Sequence, residues 1–285
     1  MKRIFNGLPI IVLLCSIICF SAACSSRKTE DSNLQITVLN VGKGDCILLT
    51  KDGSCVLIDA GYDDTSGEVI SFLQKKNVEQ LDYFIVTHYD KDHVGGAAAV
   101  AENISIGQIY LPDYEGESKY YTALMDVVED RSLAAEKVSD NISFTLADVN
   151  YEIYASDVEY VPSDGNEEGN DNDVSLVIAT YWNEDSYLFA GDIEEDGIES
   201  FLENGHGSFD VVKMPHHGRK ESNTGDFIES TQPKIALITD SEDDPADDKV
   251  LNLLAEAGAD VYRTSQCGTI VLTGAGTGEY NVTTE

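Results

Sequence analysis

Four of the five histidines lie in two short motifs, each following an apolar run. The first motif is Thr87-His88-Tyr89-Asp90-Lys91-Asp92-His93-Val94-Gly95-Gly96, which places His88, Asp90, Asp92 and His93 within six residues. A loop at a strand end can turn all four side chains toward one point, and mixed imidazole and carboxylate ligands suit zinc or manganese. A polar turn with an incidental His pair is the competing reading, and aspartates at alternate positions between the histidines weigh against it. The second motif is Lys213-Met214-Pro215-His216-His217-Gly218, directly after the apolar Phe209-Asp210-Val211-Val212. Between the two, a run at 186–190 ends in Gly191-Asp192, and upstream another ends in Asp59-Ala60-Gly61.

The elements that must carry these residues can be read from periodicity. Alternating Leu34, Ile36 and Val38, then the runs at 46–50 and 55–59, predict three opening strands, with Lys51-Asp52-Gly53-Ser54 as a hairpin turn. Val69, Ile70, Phe72 and Leu73 have helical spacing, and 83–86 is a short apolar strand ending at Thr87-His88. Later strands are predicted at 174–182, 186–190, 209–214, 234–239 and 268–273, and helices near 118–130, 194–203, 223–230 and 247–257. Two groups of strands with helices interspersed predict an α/β domain of two packed sheets covered outside by helices. Four strand ends then bear His or Asp, and in layered α/β folds function collects at such loops.

Taken in order, Leu57-Ile58-Asp59-Ala60-Gly61, the His88–His93 motif, Asn172-Asp173-Val174-Ser175-Leu176-Val177, Leu188-Phe189-Ala190-Gly191-Asp192 and Lys213–Gly218 resemble the metallo-β-lactamase superfamily. The nearest variant is the hydrolase domain of ComEC-type competence proteins, whose opening pattern is similar to Val41-Gly42-Lys43-Gly44-Asp45-Cys46. The resemblance spans about 34–273 and implies a four-layer αββα sandwich with two divalent ions, zinc or manganese, at one edge of the sheets. It further implies that His88 and Asp90 serve one ion, that Asp92 and His93 serve the other, and that Asp192 bridges them. His216 is the preferred last ligand, with His217 as the alternative; the one left over contacts substrate or acts as an acid. Asp92 and Asp59 join His217 as candidate catalytic residues, Asp59 by orienting a histidine ligand or as a capping Asp in a turn. Asp90 stands where the family's usual HxHxDH has a second His, and no His occurs between His93 and His206. Asn172, Asp173 or Ser175 would have to fill the missing imidazole's place, and Lys213 is a further candidate near the site. Arg219 follows His-His-Gly where Ser is usual.

The N-terminal segment reads as a targeting device. Lys2 and Arg3 precede an apolar stretch at 10–20, then Ser21-Ala22-Ala23 and Cys24, which resembles a bacterial lipobox. The expected organisation is a signal peptide at 1–23, a linker at 24–33 after a lipidated Cys24, and the hydrolase domain at 34–285. Cys24 would hold the domain on the extracytoplasmic face of the membrane; ordinary cleavage and secretion, or a retained anchor, are the alternatives. Cys46, Cys55 and Cys267 remain as buried thiols, although Cys46 and Cys55 lie on two arms of one hairpin and could pair. The acidic loops at 163–173 and 240–248 lack the spaced calcium-loop pattern and are expected to be solvated.

With 18 Lys+Arg against 52 Asp+Glu, the formal net charge is −34, which opposes nonspecific binding of duplex nucleic acid. Divalent ions at the site would lower the pKa of a water toward about 7 and supply a hydroxide nucleophile. The expected function is therefore exported, metal-dependent hydrolysis of phosphodiester bonds, in a small phosphoester or single-stranded DNA. A non-catalytic surface lipoprotein on the same fold and a lactone or amide hydrolase are the alternatives. No protein partner is expected.

Overall fold

The computed structural model describes residues 33–163 and 169–285. The expected signal segment, Cys24, the linker up to residue 32 and the stretch 164–168 of the first acidic loop lie outside the described residues. In chain order the strands are β1 (Leu34–Val38), β2 (Ile47–Lys51), β3 (Ser54–Ile58), β4 (Gln80–Ile85), β5 (Ser105–Pro112), β6 (Ala135–Val138), β7 (Ile142–Leu146) and β8 (Val149–Tyr154). They continue as β9 (Val177–Trp182), β10 (Asp185–Phe189), β11 (Val211–Lys213), β12 (Ile235–Ile238), β13 (Asp260–Arg263), β14 (Ile270–Gly274) and β15 (Tyr280–Thr284). The helices are α1 (Ser66–Lys75), α2 (Lys91–Val94), α3 (Ala97–Asn103), α4 (Lys119–Arg131), α5 (Glu195–Glu203), α6 (Thr224–Thr231), α7 (Asp248–Ala257) and α8 (Thr264–Cys267).

One sheet runs β15-β14-β1-β2-β3-β4-β5-β6 and the other β13-β12-β11-β10-β9-β8-β7. Three apolar layers hold them. Leu34, Ile36, Val38, Val56 and Ile58 of the first sheet share a core with Ile153, Ile178, Phe189 and Val211 of the second. The opposite face of the first sheet, through Leu48, Leu57 and Phe84, packs with Val69, Leu73, Val100 and Leu124 of α1, α3 and α4. Leu188, Val212 and Ala236 of the second sheet likewise pack with Ile198, Phe201, Phe227 and Leu254 of α5, α6 and α7. Strands buried on both faces must be apolar at consecutive positions, which is why these runs are continuous in the sequence. The result is the expected αββα sandwich.

Several strands escaped the sequence. The β7–β8 hairpin turns on Ala147 and Asp148, both at positive φ (48° and 62°), with Leu146 paired to Val149. A two-residue turn of that backbone shape usually signals itself by Asn-Gly or Asp-Gly, and here the residues hide it. The β2–β3 register, with Ile47 opposite Ile58 and Thr50 opposite Cys55, sets Cys46 and Cys55 at opposite ends of the hairpin, so both are free thiols rather than a pair. The loop at 240–248 is anchored, not wholly solvated: Asp240 is fully buried and accepts from Arg263 Nε at 2.8 Å and Ala246 N at 2.9 Å.

Candidate metal centre

Strand direction gathers the chemistry at one edge. β3 and β4 run parallel, so Asp59 and Thr87-His88 leave the first sheet at the same end. β10, β11 and β12 are also parallel, so Asp192, His217 and Thr239 leave the second sheet together. Asp45 enters β2 beside them, because Ile47 pairs with Ile58. The loops are then laced by their backbones: Asp45 N donates to Asp92 O (3.1 Å), Ala60 N to His93 O (2.9 Å) and Gly61 N to Asp45 O (2.8 Å). Close approach demands a missing side chain at Gly96, where a Cβ would fall 2.3 Å from Ala60 O.

Within this edge, ligand atoms of Asp92, His93, Asp192 and His217 lie within 4.8 Å of one another. Asp192 Oδ2 is 3.2 Å from His93 Nε2 and 2.9 Å from His217 Nε2, and Asp92 Oδ2 is 3.4 Å from His217 Nε2. Two imidazoles and two carboxylates are a donor set for zinc or manganese.

The hydrogen bonds behind the rings decide which nitrogen each offers. Asp59 Oδ2 takes His93 Nδ1 at 2.7 Å, leaving Nε2 toward the cluster. Thr87 donates its hydroxyl to Asp59 Oδ2 (2.7 Å), so its oxygen accepts from His88 Nδ1–H (3.0 Å). Thr239 donates to Asp45 Oδ1 (2.6 Å) and accepts from His217 Nδ1–H (2.9 Å). In their neutral forms all three rings therefore carry the proton on Nδ1 and offer Nε2, the tautomer that metal ligation needs. His88 Nε2 is buried without a hydrogen-bond partner. Such an orphan is costly unless a cation completes it, and in this respect the residues fit a metal.

Electrostatics point the same way. Burial opposes charge on His93 and His217, yet the Asp192 carboxylate, with Asp59 beside His93 and Asp92 beside His217, raises both imidazoles above their ordinary value. Burial also opposes ionisation of Asp192, but His217, His93 and Lys213 outweigh it and hold its carboxyl well below the usual range. Burial and the neighbouring His93 drive His88 down, keeping it neutral. Protons on His93 and His217 occupy the role of a cation, so metal binding must displace them.

The remaining expected site residues fall into place with some corrections. His217, not His216, joins the cluster. Both adopt left-handed backbone (φ 43° and 53°), which throws successive rings apart, and His216 Nδ1 instead lies 3.1 Å from Glu194 Oε1. Asp90 stands outside the four-residue cluster, hydrogen-bonded to Asp171, and burial together with that neighbour pushes its carboxyl up to about 7. Asp173 is used by the backbone: Oδ1 accepts from Glu194 N (3.1 Å) and Gly197 N (2.8 Å) at the start of α5. Asn172 Nδ2 donates to Glu194 Oε1 at 2.9 Å. Lys213 is not a ligand, since its ammonium has no lone pair; fully buried, it donates to Asp45 Oδ2 (2.6 Å), Asp192 Oδ1 (3.2 Å) and Gly191 O (2.9 Å). Sequence reasoning missed the roles of Asp45, Thr87 and Thr239. Asp45 belongs to the Gly42-Lys43-Gly44-Asp45 motif, whose buried acid was the available signal; Thr239 carried none.

A four-layer sandwich with imidazoles and carboxylates converging at facing strand ends is the architecture of a metallohydrolase fold. The chain belongs to the Metallo-beta-lactamase superfamily, whose family model matches residues 39–238. Among curated proteins it is similar to ComE operon protein 3 of Bacillus subtilis (strain 168), with 26% identity over 94% of this chain and 36% of that protein. It is also similar to Recombination protein 2 of Haemophilus influenzae, with 25% identity over 86% of this chain and 29% of that protein. The chain thus spans about a third of the length of these relatives. Among solved structures, the metallo-beta-lactamase fold protein YhfI from Bacillus subtilis shares the fold, with a TM-score of 0.57 and 14% identity over 85% of this chain and 100% of that one.

Proposed function

We propose that the chain is a metal-dependent hydrolase of phosphodiester bonds, a phosphodiesterase or nuclease, exported and held by a lipidated Cys24 at the extracytoplasmic face of a membrane. The observation that carries the catalytic reading is the convergence of His93, His217, Asp92 and Asp192 with every ring nitrogen behind the cluster already engaged. One ion is assigned to these four. A second would be held at His88, supported by its orphaned Nε2, with Asp192 and Asp90 as the carboxylates the family resemblance assigns to it; Asp90 is hydrogen-bonded to Asp171. Bound divalent ions would supply Lewis acidity and acidify a water. The chain's own residues set the stage: Asp59 and Thr239 fix the rings, Lys213 holds Asp192, and His216, 3.1 Å from Glu194 Oε1, stands beside the cluster as the candidate acid toward the leaving oxygen.

The phosphodiester class is supported by the names of the relatives, a competence operon protein and a recombination protein. The net charge of −34 disfavours a duplex, and two cations of the His216-His217 segment are already paired: Lys213 with Asp45 and Asp192, Arg219 with Asp244. Short single strands and small phosphodiesters remain the favoured substrates. Export is supported by Lys2, Arg3, the apolar 10–20 stretch and Ala22-Ala23-Cys24. The test is metal content together with turnover of a bis-aryl phosphodiester and of single-stranded DNA after zinc or manganese addition. Activity lost on chelation and restored by metal is expected; a protein that binds neither ion and cleaves neither substrate contradicts the proposal.

A further inference from the structure

We propose that Asp45 is a positioning residue that sets three of the four cluster ligands at once, from a turn outside both histidine motifs. The inference rests on the metal-centre reading above and deepens it. Asp45 is 1% exposed, and each polar group it owns is committed. Its N–H donates to Asp92 O (3.1 Å), fixing the backbone of one ligand. Its Oδ2 takes Lys213 Nζ (2.6 Å), and the same ammonium holds Asp192 Oδ1 (3.2 Å), which leaves Asp192 Oδ2 to face His93 and His217. Its Oδ1 accepts the Thr239 hydroxyl (2.6 Å).

That last bond has a directional consequence. A threonine hydroxyl owns one proton, and here it is given to Asp45, so Thr239 Oγ1 can only accept from His217 Nδ1–H at 2.9 Å. The neutral His217 ring is thereby held with its proton on Nδ1, so that Nε2, which faces Asp192 and Asp92, is the nitrogen left for a cation. Asp45 does for the second sheet's histidine, through a hydroxyl, what Asp59 does directly for the first sheet's His93. It also spans the two sheets, joining the start of β2 to the ends of β11 and β12, so the halves of the cluster share one reference point.

Substituting Asp45→Asn keeps size and can still offer a carbonyl to Lys213, but turns an amide donor toward Thr239. The hydroxyl is then free to donate to His217 Nδ1, and the ring proton moves to Nε2, where it blocks ligation. Thr239→Val removes the relay, and Thr239→Ser restores it. The full-length chain and these three variants are stripped with chelator and compared in two measurements. One is zinc affinity by competition with a chromophoric chelator. The other is selective ¹⁵N-histidine NMR of the metal-free proteins above the imidazole titrations, which reads the ring nitrogen bearing the proton. The expected result is Nδ1–H for His217 in the parent and Thr239→Ser, a shift toward Nε2–H in Asp45→Asn, and zinc binding about 10- to 100-fold weaker in Asp45→Asn and Thr239→Val. Parent-like tautomer and affinity in Asp45→Asn overturn the proposal. If Thr239→Val fails to fold, Asp45→Asn and Thr239→Ser decide alone. A parent that binds no zinc refutes the metal reading, and the tautomer comparison still decides the role of Asp45.

Discussion

His93 Nε2 and His217 Nε2 face each other across 3.4 Å, although 124 residues separate them in the chain. One follows the first sheet and the other the second, and Asp192 Oδ2 lies within 3.2 Å of both. Two imidazoles so close require the carboxylates around them, and a bound ion would take both into one coordination shell.

The choice between the adjacent histidines follows from this geometry. His217→Ala is expected to reduce zinc or manganese affinity by more than the ~10- to 100-fold usual for an outer hydrogen-bond partner. His216→Ala is expected to leave metal content nearly unchanged while lowering turnover. Metal titration of both variants checks this, and a reversed order would move the centre toward Glu194.

Lys213 compensates Asp45 and Asp192 in a fully buried setting. Lys213→Met strands two carboxylates and is expected to cost about 3–5 kcal/mol. Urea unfolding of the metal-free protein should show the loss, and saturating zinc should return part of it by neutralising Asp192.

Asp90 gives a pH dependence with a definite sign. Its carboxyl is raised from 3.8 to about 7 by burial and Asp171, so between those values the folded state binds a proton that the unfolded state releases. Its contribution to stability is therefore complete below about pH 4 and is lost as pH rises through about 7. Asp90→Asn, which keeps a donor toward Asp171, should flatten the fall of Tm across that window; superimposable Tm–pH curves would contradict the assignment.

At Gly96, an added methyl meets the Ala60 carbonyl at 2.3 Å, and a carbonyl in a turn pinned by the Ala60 N–His93 O and Gly61 N–Asp45 O hydrogen bonds cannot step aside cheaply. Gly96→Ala is expected to cost about 1–3 kcal/mol and to weaken metal binding by displacing the Asp59–Gly61 turn. Thermal melts and metal titration together test both effects.

Much of the molecule was legible in the sequence where two constraints coincided. Strands buried on both faces showed as continuous apolar runs, and α4, α5, α6 and α7 begin and end within one residue of expectation. Ligands showed where His and Asp were dense, as at 88–93. What stayed hidden depended on partners far along the chain. Which of His216 and His217 turns inward is set by a left-handed backbone that no residue type announces. The roles of Asp45 and Thr239 exist only because the edges of two sheets meet, 194 residues apart in sequence. Lys213 could be suspected near the site, but its burial between two carboxylates required the packing.

The proposed centre places one ion among Asp92, His93, Asp192 and His217. Anomalous diffraction or X-ray absorption on zinc-loaded protein tests it most directly. An ion about 2.0–2.1 Å from the Nε2 atoms of both His93 and His217, with Asp92 and Asp192 oxygens completing the shell, is expected. Zinc found instead beside Glu194 and His216, or absent from a correctly folded protein, would overturn it.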